Sequence, residues 1–430
     1  MKVLPCFLIL ALWIFVPLSA RAQEYLFDDM PPPDEASELP TPFTQFSGID
    51  GKISLDKLSP EPFISDAALS VQPRFYYRSV RNALGVQDTF AGGGSMGLTT
   101  GWWRDAVQFG VTGYMTQPLV AVKENNRSGL VESDGSGFFT LGQAWARVRV
   151  GPAKATVFRQ ILSLPFINAN DARMIPNTFE AYQVEATLGD FVRLNAGYIT
   201  QMKARNSPDF VSMSEAAGAP QVDRGTSFFG IMASKEDGPY LGLENETTWD
   251  LFTSTYLQAG HTWQVTSGLQ LRGDLQFVDQ RSVGGEYVGT FDSQLYGARV
   301  ASSYGGAVLS FSYTGVGGTS GLFSPYGADP GFNRVMISNF ARKSEQAIGT
   351  SLSYDFSRIG LRGVTAFASY IYGVLPDDQW EHEFNVTCDY RINAGLLKNV
   401  WLRLRYAHNE MSGQVPIEDF RVILNYAVTF

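Results

Sequence analysis

Residues 418–430 read Glu418-Asp419-Phe420-Arg421-Val422-Ile423-Leu424-Asn425-Tyr426-Ala427-Val428-Thr429-Phe430. Val422, Leu424, Tyr426, Val428 and Phe430 take every second place, and Arg421, Asn425 and Thr429 stand between them. Successive side chains of a strand point to opposite faces, so this is a strand with one greasy face and one polar face, ending on an aromatic ring. An edge strand of a soluble sheet shows the same alternation. The rest of the chain decides between the two.

The pattern recurs upstream to Asp66. Tight reversals stand at Gly151-Pro152, Gly189-Asp190, Asp237-Gly238-Pro239, Thr266-Ser267-Gly268, Tyr304-Gly305-Gly306 and Ser357-Arg358-Ile359-Gly360, and two more at Trp102-Trp103-Arg104-Asp105 and Ile392 to Asn399. Gly, Pro, Asp and Ser each favour turns for a distinct steric or hydrogen-bonding reason. Longer polar connections fall at 82–90, 123–136, 162–180, 203–225, 280–290, 317–344, 375–380 and 409–416, with a short one near Trp249-Asp250. The strands predicted between them are 66–81, 91–102, 106–119, 138–150, 153–162, 181–188, 191–201, 226–235, 240–249, 252–265, 269–279, 291–303, 307–316, 346–356, 361–373, 381–390, 400–408 and 418–430. That makes eighteen, with sixteen as the alternative count. Short turns alternating with long loops describe an up-and-down antiparallel barrel, with the short turns toward the periplasm and both chain ends on that side. An open sheet edge cannot sit in lipid, so the sheet must close.

Composition points the same way. The charged fraction is 17%, with 30 Phe, 19 Tyr, 8 Trp and 43 Gly, against roughly 25% charged in soluble domains. No apolar run after residue 22 is long enough for a membrane helix, which needs about 20 residues. The start of the chain has a secretory pattern: Lys2, an apolar core from Val3 to Leu18, then Ala20-Arg21-Ala22, which predicts cleavage before Gln23. Removal of 1–22 leaves Cys388 as the single cysteine, so no internal disulfide holds the mature chain. Residues 23–65 carry Pro31-Pro32-Pro33 and nine acidic residues against Lys52 and Lys57, and lack strand periodicity. They read as an acidic, Pro-rich periplasmic extension, followed by the barrel at 66–430.

Alternation also assigns the lumen. On the first strand Leu69, Val71, Pro73, Phe75 and Tyr77 face lipid, and Ser70, Gln72, Arg74, Tyr76 and Arg78 face inward. Arg403 and Arg405 are inward on the seventeenth strand and Arg421 on the last. Closure makes these three strands neighbours, so Arg74, Arg78, Arg403, Arg405 and Arg421 share one wall. Gln143, Arg147, Arg149, Arg159 and Arg193 are inward elsewhere. Inward acids fall mid-chain, at Glu185, Glu244, Glu246 and Asp274. A guanidinium grips a carboxylate through two parallel hydrogen bonds, so a row of them offers an anion successive weak sites. The bland alternative is that these arginines pair with acidic neighbours. The net charge of −9 does not oppose an anion path, because much of the acidity lies in the extension and loops.

The core of 162–180, Asn170-Asp171-Ala172-Arg173-Met174-Ile175-Pro176-Asn177-Thr178-Phe179, resembles the third-loop signature of the OprD family of substrate-specific porins. Arg74-Phe75-Tyr76-Tyr77-Arg78 resembles the family's first strand and Leu402-Arg403-Leu404-Arg405-Tyr406 its late basic strand. The resemblance spans most of 66–430. It implies an eighteen-stranded channel, monomeric rather than trimeric, whose third loop folds inward as an eyelet while an arginine ladder guides carboxylate-bearing solutes. It places Asn170, Asp171, Arg173 and Pro176 in the constriction loop. The residues agree independently: Leu162 to Ile167 is apolar, which an external loop would not need. Asp171 and Arg173 either pair with each other or face the solute.

A general porin and a barrel hydrolase are competing functions. A general, weakly selective porin would carry fewer arginines on one wall. A barrel hydrolase would need a nucleophile, base and orienting group together. The chain has three histidines, His261, His382 and His408, and no serine or acid is set beside them by sequence. No catalytic residue, cofactor or metal is expected, and no nucleic-acid partner. The expected partners are outer-membrane lipid and lipopolysaccharide, small anionic or zwitterionic solutes, and the barrel-assembly machinery through Phe430. The C-terminal strand resembles the insertion signal of outer-membrane barrels.

Overall fold

The computed structural model describes residues 61–120, 126–189, 191–235, 238–395 and 397–429. The predicted signal at 1–22, most of the 23–65 extension and Phe430 lie outside the described residues.

The strands are β1 (Ala68–Asn82), β2 (Gly85–Thr99), β3 (Val107–Pro118), β4 (Phe138–Val150), β5 (Ala153–Gln160), β6 (Thr178–Leu188) and β7 (Val192–Lys203). A short β8 (Phe210–Ser212) follows, then β9 (Thr226–Ser234), β10 (Tyr240–Thr248), β11 (Phe252–Thr266), β12 (Leu269–Ser282), β13 (Asp292–Tyr304) and β14 (Ala307–Gly318). The chain ends with β15 (Gln346–Asp355), β16 (Val364–Val374), β17 (Trp380–Arg391), β18 (Val400–Met411), β19 (Ile417–Tyr426) and β20 (Val428–Thr429).

Each strand pairs antiparallel with the next in order, β7 passing to β9, and β19 returns to β1. The result is a closed 18-strand barrel. β8 pairs only with the end of β7, and β20 continues the path of β19 along β1. The predicted strands are all present. One connection differs: 82–90 is not a long loop, because β2 starts at Gly85 and pairs with β1 along its whole length. Its polar residues hide the strand period because they serve both faces. Thr89 is buried inside and accepts from Asn126, while Asp88 accepts from the Tyr77 hydroxyl outside.

The outer surface is the greasy face. Leu275, Val300 and Phe311 are exposed in the middle of their strands. Trp103, Phe191, Trp263 and Tyr304 are exposed near the short turns, and Phe139, Trp249 and Tyr287 near the long loops. Two aromatic girdles flanking an apolar band match the depth profile of a bilayer. The three histidines lie on this outer face: His261 packs edge-on against Trp263, and His382 and His408 pair with Glu410 and Glu418.

Gly93 and Gly94 on β2 permit close strand approach. A Cβ on Gly93 would fall 2.0 Å from the Met115 carbonyl oxygen of β3, and one on Gly94 1.9 Å from that of Gln72 on β1. Only glycine fits there. Near the start, a one-turn helix at Pro62–Ser65 docks on the short-turn rim. The Phe63 carbonyl accepts from Gly101 N–H, and its ring meets Phe109 edge-on. At the other end Ser70 pairs with Thr429, so both ends of the barrel sit at that rim.

Candidate functional site

Three connections fold into the barrel. Residues 161–177, between β5 and β6, run across the lumen. Their first half packs Leu162, Leu164 and Ile167 with Phe179, Ile199, Phe228, Phe252 and Tyr326. Phe166 reaches Val278, Leu295 and Val316 on β12 to β14. The second half crosses to the opposite wall, where Met174 and Ile175 join Tyr76, Tyr114, Leu130 and Val131. Each fully buried Leu, Ile, Met or Phe contributes roughly 1.5–3 kcal/mol. This explains why a loop with so much apolar surface stays inside the barrel.

The other two inward segments fall within connections that the sequence marks as polar. Residues 126–137 bury Leu130 and Val131 against the third loop, and the Ser128 carbonyl accepts from Arg78. Residues 319–345 lie against the third loop from the far side. Asn168 N–H donates to Tyr326, Asn170 Nδ2 to the Gly327 carbonyl, and Ile167 forms a bridge with Gly327. A Cβ on Gly327, which has φ 99°, would lie 2.2 Å from Asn177 Nδ2, so the two loops touch backbone to side chain there. Ile337 and Ser338 then donate to Glu383, and Arg342 pairs with Glu381. The missed signal was the same apolar enrichment that marked the third loop: Leu322, Phe323, Tyr326, Phe332 and Phe340.

The basic wall is laid out by strand register. Arg78, Arg421 and Arg405 form one row across β1, β19 and β18; Arg403 lies one inward row below, opposite Ile423, and Arg74 two rows below, opposite Asn425. Most of these cations have built-in carboxylate partners. Asp171 binds Arg74 through both oxygens at 2.7 Å, Asp419 takes Arg78 at 2.6 Å and Arg421 at 2.8 Å, and Asp389 takes Arg403 at 2.8 Å. Trp401 Nε1 also donates to Asp389.

A cavity of about 790 Å³ opens from this wall. Arg74, Arg403 and Arg405 line it, as does Asp171, the partner of Arg74. Glu185 and Glu244 line its other side on β6 and β10, together with Arg193. Glu246, on the same face as Glu244, is buried and accepts from Phe166 N–H. Arg78 and Arg421 were expected to line the pore but line neither this cavity nor the next one. The 126–137 segment covers Arg78, and Asp419 holds both. Arg147 donates to Thr156 and stacks over Trp145, while Arg149 turns to the rim, to Asp105 and the Trp102 ring. Arg159 was expected inside. Its ladder partner is Glu180, next to the Val157–Tyr182 pair whose side chains are exposed outside, and it pairs with Glu180 on that face.

In the third loop Asp171 and Arg173 do not pair with each other. Arg173 is turned away beside Gly129 and donates to the Ala172 carbonyl. The Pro176 carbonyl accepts from Lys203 Nζ at 3.1 Å. A second cavity, of about 340 Å³, lies toward the long loops and shares Asn170, Ala328, Asp329 and Arg334 with the first. Those four residues mark the junction where the third loop and 319–345 narrow the lumen. Burial pushes the Asp329 carboxyl above its ordinary range, opposed by Arg334 and by hydrogen bonds from Gly331, Asn339 and Ser324. The junction is thus polar, with one acid and one base, both from 319–345.

The model of the outer membrane porin, OprD family, matches residues 61–430. Porin D of Pseudomonas aeruginosa is 22% identical over 425 residues, covering 90% of this chain and 96% of the relative. Among solved structures, Pseudomonas aeruginosa OccK9 (OpdG) superposes with a TM-score of 0.79 at 22% identity, covering 86% of this chain and 100% of that one. Pseudomonas aeruginosa OpdK with vanillate superposes at 0.78 and 23% identity, over 86% and 100%.

Proposed function

Because the chain belongs to the OprD family of outer-membrane porins, channels of the Gram-negative outer membrane rather than enzymes, we propose that it passes small carboxylate-bearing solutes by passive diffusion. Selectivity comes from an arginine-lined lumen narrowed by the third loop. The observation that carries this reading is the alignment of Arg74, Arg403 and Arg405 along one wall of the main cavity, facing Glu185 and Glu244. A carboxylate exchanges water for a guanidinium fork on one side, and an ammonium group on a zwitterion finds a carboxylate on the other. The neighbouring Asp171 and Asp389 keep the grip weak, so a solute can leave as well as enter. OpdK was solved with vanillate, itself a carboxylate.

The short-turn rim, where both ends of the barrel lie, faces the periplasm, and residues 23–65 extend there after removal of 1–22. The girdled outer face meets lipid and lipopolysaccharide. Phe430 presents the strand to the assembly machinery, and the barrel works as a monomer. A general porin is the competing reading. Single-channel recording in a planar bilayer under a salt gradient separates them. A small conductance with an anion-set reversal potential, lost in the Arg403→Ala, Arg405→Ala double variant, supports selective passage. A large unselective conductance, or full anion preference in the double variant, overturns it.

A further inference from the structure

We propose that the smaller cavity on the long-loop side is a capture site for polyhydroxylated carboxylates such as sugar acids. It ranks them above aromatic acids of the same charge. The inference rests on the carboxylate reading above and adds to it the chemistry of the solute's remaining atoms.

The cavity holds about 340 Å³, within the size range of small-molecule sites. Four carboxamides line it, those of Asn170, Asn177, Asn206 and Asn339, with Arg205 and Arg334 beside them. Asp329 and Ser324 add further oxygen atoms. Its remaining lining is Met202, Ala204, Pro325, Gly327 and Ala328, with no aromatic ring. A hydroxyl both donates and accepts, and a carboxamide offers both partners on one planar group. Asn170, Asn177 and Asn339 are already oriented by hydrogen bonds to the Gly327 carbonyl, the Asn168 carbonyl and Asp329. Asn206 makes no side-chain hydrogen bond among the described residues. The guanidinium of Arg205 or Arg334 supplies the anion partner, and Asp329 accepts from hydroxyl groups.

An aromatic acid satisfies the guanidinium but leaves these amides facing a ring. Replacing a hydroxyl partner by an apolar surface forfeits hydrogen bonds made to water before entry. The larger cavity beyond the junction is different. It has Tyr256, Trp401 and Leu162 in its lining, surfaces that accept a ring. Discrimination against rings therefore occurs at entry, on the long-loop side of Asp329.

The test uses the refolded full-length mature protein in planar bilayers, with galacturonate and benzoate as monovalent probes. Each is titrated against the chloride current from both sides, and the reversal potential is measured in the same bilayers. The expected result is half-block by galacturonate at about fivefold lower concentration than by benzoate, the size of about one net hydrogen bond. Asn206→Leu brings that ratio toward one; if it fails to give a heat-modifiable barrel, Asn206→Ala serves. An anion-selective channel blocked equally by both probes, or a ratio unmoved by the Asn206 variants, overturns this inference alone. A cation-selective reversal potential overturns the reading on which it rests.

Discussion

The two Nη atoms of Arg74 reach the two carboxylate oxygens of Asp171, each at 2.7 Å, and both side chains are almost fully buried. This clamp ties the middle of the third loop to β1, with Arg74 Nε further held by Asn425 on β19. Breaking a buried pair by removing one partner costs roughly 3–5 kcal/mol, because the other charge is left uncompensated. Asp171→Asn is therefore expected to loosen the loop and uncover Arg74. Single-channel conductance should rise, with more open-channel noise and a stronger anion preference. Unchanged conductance and selectivity would show that the clamp does not set the pore.

Arg403 and Asp389 form a second buried pair, on one face of β18 and β17. Arg403→Met is expected to lower the temperature at which the folded gel band converts to the unfolded one, since the buried Asp389 keeps the Trp401 donor but loses its guanidinium partner. Adding Asp389→Leu should restore much of the loss, because an apolar replacement of both partners removes the stranded charge. Additive losses in the double variant would mean that the pair is not coupled.

The outer band gives a depth-dependent prediction. Leu275 is 62% exposed in the middle of β12, while Val150 is 74% exposed at the short-turn end of β4. Leu275→Arg should destabilise the barrel in lipid by roughly 2–4 kcal/mol and Val150→Arg by about 0–1 kcal/mol. Urea titration of folding into vesicles measures both. Equal costs would mean that the apolar band does not lie at mid-bilayer.

The extension and the barrel separate at a definable point. Deletion of 24–60 leaves the Phe63 contact with Gly101 and Phe109, and heat-modifiable mobility should be unchanged. Deletion of 24–67 removes that contact and should lower the conversion temperature slightly without preventing assembly. A barrel that fails to assemble in the first deletion would show that residues 24–60 are needed for folding.

The strands were legible because each carries its own period-two signal, which needs no tertiary information. The wall of Arg74, Arg78, Arg403, Arg405 and Arg421 could be derived as well, since closure of an up-and-down barrel fixes which strands are neighbours. What the sequence did not show is which cations meet the lumen. That depends on Asp419 and Asp389 standing beside them in register and on loop carbonyls arriving from 126–137 and 161–177. Arg149 illustrates the limit: it lies on a pore-facing position, yet the rim offers Asp105 and Trp102 within reach. The junction residues Asp329 and Arg334 were invisible for another reason. Their place comes from the fold of a connection with no repeating pattern, and only its apolar content hints that it turns inward.

The seam between β1 and β19 has a consequence for biogenesis. The Arg74 to Asn425 hydrogen bond joins residues 351 positions apart, and the last ladder pair sets Ser70 against Thr429. No earlier portion of the chain can complete the ring, so contacts of this kind form late in folding. A nascent chain lacking its final strand would present two unsatisfied edges at once, one on β1 and one on β18. Completeness of the chain is thereby written into the sheet itself: without β19 the ladder stays open, and an open sheet edge has no place in lipid.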